Sequence, residues 1–190
     1  FTFSELTFDE AGRYIYTVKE VAGSLGGVTY DDTRYTVIVT VVDNGDGTMT
    51  ATPSINGAAI AFENTYEAAP AKAQLTGIKF LEGNDISKFR FAFELYDSEG
   101  NVVCATANNG AAIEFNEIVF NEAGVYTYSV RELDTKYGGI TYDETEYTWT
   151  VTVTDNGMGQ LVAETAITNN GEAAALIFRN SYAAEPITIS

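Results

Sequence analysis

Histidine is absent from this sequence of 190 residues, and cysteine occurs once, at Cys104. Without histidine the chain lacks the usual general base of serine and cysteine hydrolases and the commonest metal ligand in proteins. A single cysteine allows neither an intramolecular disulfide nor a cysteine-based zinc cluster, and its apolar strand setting predicts a small buried hydrophobic residue. The sequence therefore calls for no metal and no other cofactor.

Basic residues are scarce, with 10 lysines and arginines against 27 aspartates and glutamates and a formal net charge of -17. Nucleic acids and anionic membranes attract proteins through clustered positive charge, so neither is an expected partner. No apolar run is long enough to span a bilayer, so no membrane insertion is expected in this segment. Hydrophobic residues, by contrast, make up 45% of the chain and aromatic residues 13%, which predicts a packed core.

The sequence repeats itself, and such self-similarity marks an array of one structural unit. Three pairs of stretches match in order: FTFSELTFDEAGRYIYTVKE at residues 1–20 with IEFNEIVFNEAGVYTYSVRE at 113–132, GGVTYDDTRYTVIVTVVDNGDG at 26–47 with GGITYDETEYTWTVTVTDNGMG at 138–159, and AFENTY at 61–66 with IFRNSY at 177–182. The chain therefore contains two copies of one domain, which we call repeat one and repeat two.

The two copies differ in completeness. We assign residues 1–68 to repeat one, which lacks a counterpart of residues 75–112, and residues 75–183 to repeat two. Residues 69–74 and 184–190 are rich in small residues around a proline and are predicted to be linkers, the second leading toward a further repeat. The strand-like pattern already under way at the first residue indicates a segment of a longer protein.

Alternation of apolar and polar residues predicts strands in both repeats. It is strictest in YTWTVTVT at residues 147–154, and FRFAFEL at residues 89–95 follows the same pattern. The DNGDG sequence at residues 43–47 predicts a hairpin turn rather than a calcium loop, because repeat two has Met158 where repeat one has Asp46. These patterns predict an all-β fold of tandem immunoglobulin-like β-sandwich repeats, the first without its N-terminal strands.

The same alternation places polar side chains on core-facing sides of strands. The polar residues that share a face with large apolar residues are Glu132 and Asn180 in repeat two and Glu20 and Asn64 in repeat one. Lys79 has the parity of Leu75 and Leu81, although Ile78 and Phe80 interrupt that pattern. A buried polar group without a partner costs about 2 to 7 kcal/mol, so these residues are expected to contact one another.

An amine, a carboxyl group and a carboxamide in a water-poor pocket have one specific chemical option. Desolvation lowers the pKa of a lysine such as Lys79 and raises that of a glutamate such as Glu132, so both can be neutral. The amine can then attack the Asn180 carboxamide, while protonated Glu132 polarises the carbonyl and transfers protons so that ammonia leaves. The product is an isopeptide bond; the other interpretation is a buried hydrogen-bonded cluster that never reacts.

Five strings occur in order along repeat two: LTGIKFLEG with Lys79, YTYSVRE with Glu132, GGITYDETEY, VTDNGMG, and FRNSY with Asn180. Together they resemble the streptococcal-type pilin isopeptide linkage domain, a CnaB-like fold of Gram-positive pilins and adhesin stalks. The resemblance implies that Lys79 on the first strand bonds Asn180 on the last, with Glu132 as catalyst. It also implies that these strands are neighbours running the same way, and that the protein lies outside the cell, anchored to the Gram-positive cell wall.

Repeat one matches this pattern at Glu20 and Asn64 but has no first strand and hence no equivalent lysine. Lys19 cannot substitute, because strand parity puts it on the face opposite Glu20. One intrachain isopeptide bond is therefore expected, not two. The missing strand leaves an open edge that a strand donated in trans by another chain can fill.

The functional hypothesis is a structural stalk or backbone module of a Gram-positive pilus or surface adhesin, whose partners are neighbouring repeats or subunits. The alternative is a ligand-binding adhesin module that recognises a host glycan or protein. A turnover enzyme is not expected beyond the single autocatalytic cross-link. Adjacent carboxylates such as Asp143 and Glu144 lie in one turn, whereas glycosidase carboxylates face each other across a cleft.

Overall fold

A computed structural model of the chain describes residues 1–55, 57 and 59–189. Almost all of its regular structure is β-strand, and the helical structure of the described residues is a single 3₁₀ turn at Ile86–Lys88. None of the helices in that part of the chain has the length and apolar character needed to cross a membrane. The chain divides into two compact units, Phe1–Glu67 and Ala68–Ser190, which contain repeat one and repeat two.

Repeat one is built on a three-stranded antiparallel sheet and a separate two-stranded one. Its strands are β1 (Gly12–Lys19), β2 (Val28–Thr29), β3 (Arg34–Asp43), β4 (Met49–Ile55) and β5 (Thr65–Tyr66). The sheet has the order β1-β3-β4, and β2 pairs separately with β5. Val39 and Val41 of β3 are buried, whereas Ile15 and Val42 are exposed, so the alternation of the strands produces one apolar face.

Repeat two contains twelve strands among the described residues. They are β6 (Ala71–Ala73), β7 (Thr76–Glu82), β8 (Ala92–Tyr96), β9 (Val102–Ala107), β10 (Ala112–Glu114), β11 (Ile118–Phe120), β12 (Gly124–Leu133), β13 (Ile140–Thr141), β14 (Tyr147–Asp155), β15 (Leu161–Asn169), β16 (Glu172–Ala173) and β17 (Ile177–Tyr182). The larger sheet has the order β16-β15-β14-β12-β8-β9, the second sheet has the order β10-β7-β17-β13, and β11 pairs with β6.

The core of repeat two lies between these two sheets. In β14 every second residue is buried, namely Tyr147, Trp149, Val151 and Val153. The ring of Phe178, on the second sheet, lies 5.1 Å from that of Phe93 and 5.2 Å from that of Tyr147 on the larger sheet. Each large apolar side chain buried in this way contributes about 2 to 3 kcal/mol. The predicted all-β, immunoglobulin-like sandwich is confirmed.

The first and last long strands of the second sheet, β7 and β17, are adjacent and parallel. Their register sets Lys79 opposite Phe178 and Leu81 opposite Asn180. Gly77 allows the close approach of the two strands, because a Cβ atom there would lie 2.9 Å from the main-chain oxygen of Leu176. The two inward-facing polar residues therefore lie one strand spacing apart.

Residues 69–74, for which a linker was expected, are instead part of repeat two. Strand β6 pairs with β11, and its Ala71 and Ala73 are buried. Alanine is small enough to pack against the core at both positions, while Lys72 between them points outward and pairs with Glu117 at 2.9 Å. At the other end, residues 184–189 form no strand, and Ser190 lies outside the described residues.

Candidate functional site

Three strands bring one polar side chain each to the centre of repeat two. Lys79 comes from β7, Glu132 from β12 and Asn180 from β17, and their residues are 0%, 9% and 3% exposed. In β12 the buried residues Tyr128 and Val130 precede Glu132 at alternate positions, so the pleat of the strand turns the carboxyl group inward. The three residues singled out from the sequence thus meet in one place.

The carboxyl group of Glu132 joins the other two side chains. Lys79 Nζ donates to Glu132 Oε2 at 2.6 Å, and Asn180 Nδ2 donates to Glu132 Oε1 at 2.6 Å. Each oxygen thus has its own partner, and hydrogen bonds to a charged group are short and strong. The amine and the carboxamide are held against the two ends of one carboxyl group.

The surroundings of this cluster are apolar and aromatic. Lys79 Nζ lies 4.9 Å from the centre of the Phe91 ring, and Phe91, Phe93 and Phe178 are fully buried. Such a pocket excludes water, which strengthens the contacts within it and disfavours charge.

Burial shifts both ionisable groups toward their neutral forms. It lowers the pKa of Lys79, although the hydrogen bond and charge of Glu132 oppose this shift. Burial likewise raises the pKa of Glu132, against the opposing effect of Lys79. Transfer of one proton along the 2.6 Å contact converts the ion pair into a neutral amine and a neutral carboxylic acid.

A fourth residue, Asp143, completes the site. Its main-chain N–H donates to Asn180 Oδ1 at 2.8 Å, and its carboxylate accepts from the main-chain N–H groups of Thr145 at 2.9 Å and Arg179 at 2.6 Å. Sequence reasoning missed this role and treated Asp143 as an ordinary turn residue. The signal that could have found it is the TYDxT string at residues 29–33 and 141–145.

The contacts of Asn180 also differ from those expected. Glu132 was expected to polarise the Asn180 carbonyl, but it accepts from the amide nitrogen, and the carbonyl oxygen faces Asp143. This orientation follows from the partners, because a main-chain N–H can only donate and so must face the oxygen. The nitrogen and the oxygen of the Asn180 carboxamide thus contact different groups.

Repeat one reproduces half of this arrangement. Asn64 Nδ2 donates to Glu20 Oε1 at 2.9 Å, and the Asp31 N–H donates to Asn64 Oδ1 at 2.8 Å. The second oxygen, Glu20 Oε2, is buried and has no hydrogen-bond partner among the described residues. Lys19 is exposed on the other face, so it does not supply the missing amine.

The environment of Asn64 corrects one expectation. Asn64 was predicted to point into a core, but it is exposed, whereas its counterpart Asn180 is 3% exposed. In repeat two, β7 covers the side chain of Asn180 by pairing with β17. No strand among the described residues of repeat one takes the place of β7. Asn64 therefore makes the same hydrogen bonds as Asn180, but its side chain is not buried.

Cys104 lies apart from this site. It is half-buried on β9, packs against the core and pairs with Leu95 of β8. Burial raises the pKa of its thiol, which keeps the thiol protonated and unreactive. The described residues contain no group of three or more carboxylate, cysteine or histidine side chains arranged to hold a metal ion.

The fold and the site together define a class of protein: tandem β-sandwich repeats with a buried lysine, glutamate and asparagine in contact. The chain belongs to the family described as Spy0128-like isopeptide containing domain (FctA), whose model matches residues 1–67 and 75–183. The resemblance inferred from the sequence strings is confirmed. No curated protein matches the chain.

Among solved structures, the chain is similar to the major pilin of Streptococcus pyogenes, with 22% identity over 96% of this chain and 74% of that one, and a TM-score of 0.29. It is also similar to the major pilin T3.2 of S. pyogenes serotype GAS13637, with 18% identity, coverage of 93% and 69%, and a TM-score of 0.28. For the major pilin T-13 of serotype GAS131465 the identity is 20%, the coverage 94% and 70%, and the TM-score 0.28.

Proposed function

We propose that repeat two forms an intramolecular isopeptide bond between Lys79 and Asn180, with Glu132 as the proton-transfer group. The observation that carries this proposal is the Glu132 carboxyl group, which lies 2.6 Å from both the amine and the carboxamide nitrogen inside the core. Membership of an isopeptide-containing family supports it independently. Fixed contact of this kind replaces a bimolecular encounter and raises the effective concentration of the amine.

The reaction balances without any further reagent. Lys79 Nζ, as a neutral amine, adds to Asn180 Cγ, and the bond between Cγ and Nδ2 then breaks. One proton moves from Nζ to Nδ2, which leaves as ammonia. Because Glu132 contacts both nitrogens, one carboxyl group can accept that proton and deliver it.

We further propose that the chain is a structural segment of a pilus or a cell-wall anchored surface adhesin of a Gram-positive bacterium. The family supports this role, and so does the parallel pairing of β7 with β17. A bond between these strands links the start of repeat two to its end, so a pulling force on the two ends passes through the bond. The strands between them then carry no load, which suits a stalk.

Intact mass spectrometry tests the bond directly. The 190-residue chain should weigh less than its sequence by one ammonia, and digestion should release a branched peptide that joins Lys79 to Asn180. Glu132→Ala should restore the full sequence mass because it removes the proton-transfer group. A wild-type chain with no loss, or with the loss of two ammonia molecules, would contradict the proposal.

Repeat one supports a second proposal: its open edge can bind a lysine-bearing strand that is added in trans. Among the described residues, no group donates to the buried Glu20 Oε2, whereas Lys79 donates to the equivalent oxygen of Glu132 in repeat two. Glu20 lines a groove of about 430 Å³ together with Phe3, Val18 and Phe62. Phe3 and Val18 also line an adjoining apolar groove of about 540 Å³. A strand of alternating apolar residues with one lysine complements both the groove and the carboxyl group.

A synthetic peptide with the sequence LTGIKFLEG, that of residues 75–83, tests this second proposal on the whole chain. Repeat two contains its own copy of this strand, so only repeat one should react, gaining the peptide mass minus one ammonia at Asn64. Asn64→Ala, and a peptide with arginine in place of lysine, serve as controls. A chain that stays monomeric and binds no peptide would contradict trans donation and leave the Lys79 bond unaffected.

A further inference from the structure

We propose that Asp143 is a positioning residue for the isopeptide reaction: its carboxylate anchors the segment whose main-chain N–H holds the Asn180 carbonyl oxygen. This inference rests on the proposed bond between Lys79 and Asn180. It assigns to Asp143 the part of the chemistry that Glu132 does not perform, which is stabilisation of charge on oxygen.

The two ends of the Asn180 carboxamide have different partners. Its nitrogen, the leaving group, contacts Glu132, and its oxygen accepts from the Asp143 N–H at 2.8 Å. As Lys79 Nζ adds to Cγ, an electron pair moves onto this oxygen. A fixed N–H at hydrogen-bond distance stabilises that negative charge without reorganisation, as the donors of an oxyanion hole do.

The carboxylate of Asp143 holds this N–H in place. One oxygen accepts from the Thr145 N–H, which closes a tight turn, and the other accepts from the Arg179 N–H. Arg179 directly precedes Asn180 on β17, so one side chain ties the turn to the strand that carries the reacting carboxamide. Distance and direction between donor and carbonyl oxygen are therefore set by Asp143.

Repeat one contains the same arrangement at Asp31. Its N–H donates to Asn64 Oδ1 at 2.8 Å, and its carboxylate accepts from the N–H groups of Thr33 at 2.8 Å and Glu63 at 2.9 Å. An ordinary turn needs only the contact to the residue two positions along. In both repeats the aspartate also contacts the asparagine and the residue before it, which lie far along the chain. These two contacts fix the position of the asparagine relative to the turn.

The test uses Asp143→Ala and Asp143→Asn in the whole chain. Folded monomer is isolated by size exclusion, and loss of ammonia is followed by intact mass during incubation below the melting temperature. Wild type should be fully converted at isolation. Asp143→Ala should yield folded, unbonded chain that converts at least about tenfold more slowly, since small displacements of reacting groups have effects of that size or larger.

Asp143→Asn keeps one acceptor oxygen and should convert at an intermediate rate. The matched control is Asp31→Ala, which removes the same hydrogen bonds from the repeat that has no equivalent lysine, and should leave bond formation complete at isolation. Rates are counted per folded molecule, so a purely stabilising role of Asp143 would not produce the expected order.

Full conversion of folded Asp143→Ala at isolation would overturn the inference, whereas an unconverted wild type would instead overturn the proposed bond.

A second measurement needs no change at Asp143. In unreactive Lys79→Ala, the Asp143 amide proton should exchange slowly with solvent, and this protection should fall at least about tenfold in Lys79→Ala with Asn180→Ala, because the acceptor is gone. Equal exchange in the two proteins would show that the contact is not made.

Discussion

Glu20 and Glu132 occupy equivalent positions in the two repeats, and their hydrogen bonds differ at one carboxylate oxygen. In both, Oε1 accepts from an asparagine side chain, at 2.9 Å from Asn64 and at 2.6 Å from Asn180. Oε2 of Glu132 accepts from Lys79, whereas Oε2 of Glu20 is buried without a partner in the described part of the chain. Repeat one is therefore an internal control for repeat two, since it has the acid and the carboxamide without the amine.

The two asparagines provide a stability test of the bond. Asn180→Ala prevents bond formation and keeps the pair of Lys79 and Glu132, so the lost stabilisation is chiefly that of the cross-link. By analogy with a disulfide that closes a loop of about 100 residues, repeat two should lose about 4 to 5 kcal/mol of unfolding free energy. Asn64→Ala in repeat one removes only hydrogen bonds and should cost about 1 to 2 kcal/mol. Denaturant titration of both variants measures the difference; equal losses would argue against a cross-link.

The stability of an unreacted repeat two should fall as the pH rises. In Lys79→Ala no cation opposes the burial that raises the pKa of Glu132 above its ordinary value of 4.5. A carboxyl group of raised pKa binds more protons in the folded state, so its stabilisation is complete below 4.5 and is lost as the pH rises through the folded value.

Denaturant titrations of Lys79→Ala at about pH 5 and about pH 8 measure this loss. The control is Lys79→Ala with Glu132→Gln, which cannot ionise at this position and retains the pH dependence of all other groups. The same slope in both proteins would mean that Glu132 does not titrate in the folded state.

Two glycines with nearly equal positive φ angles allow the cost of backbone strain to be separated from the cost of a steric clash. Gly83 follows β7 at φ +84, where an added Cβ atom would lie 2.5 Å from the main-chain oxygen of Tyr182. Gly100 has φ +85, and no atom of the described residues other than those of Gly100 and its chain neighbours lies within 4 Å of the equivalent position. Gly100→Ala should cost only the left-handed strain, about 1 to 2 kcal/mol, while Gly83→Ala must also displace β17. Thermal melts and intact mass should show a larger loss and incomplete bonding for Gly83→Ala alone.

Asn108 is expected to stabilise the main chain at Phe91, whose ring lies beside the Lys79 amine. It is 1% exposed, its Oδ1 accepts from the Phe91 N–H at 2.6 Å, and its Nδ2 donates to the Gly110 oxygen at 2.8 Å. Asn108→Ala leaves these buried groups unsatisfied and should cost about 1 to 3 kcal/mol. Asn101→Ala, at an exposed turn, should change the unfolding free energy by less than about 0.5 kcal/mol. Similar losses in the two variants would contradict this role.

Much of repeat two could be predicted because its signals are side-chain periodicities. The alternation in β14 predicted a buried face. The same kind of alternation in β12 predicted that Glu132 points inward, and Glu132 is 9% exposed. Lys79 was harder, because its neighbours Ile78 and Phe80 are large and apolar yet 44% and 43% exposed. Apolar residues on an outer face are common, so the sequence pattern alone supported an inward-pointing Lys79 only weakly.

The features that sequence reasoning missed depend on the main chain or on neighbours. The Asp143 contact to Asn180 is made by a backbone N–H, which every residue except proline possesses, so only the repeated TYDxT string at residues 29–33 and 141–145 marks the position. Strand β6 is alanine-rich, and small residues give little periodic contrast. Asn64 is exposed because no strand among the described residues of repeat one takes the place of β7, and the sequence around Asn64 does not report on that neighbour.

The order β10-β7-β17-β13 places the last strand of repeat two inside a sheet, between strands formed from earlier parts of the chain. During synthesis, β17 is the final strand to appear, and its insertion between β7 and β13 brings together residues far apart in sequence, which is a slow step in folding. Asn180 arrives with that strand, after the amine and the carboxyl group. The timing of the proposed reaction is thus coupled to the insertion of β17, and a chain that stalls before this step keeps Lys79 and Asn180 unbonded and can still unfold and refold.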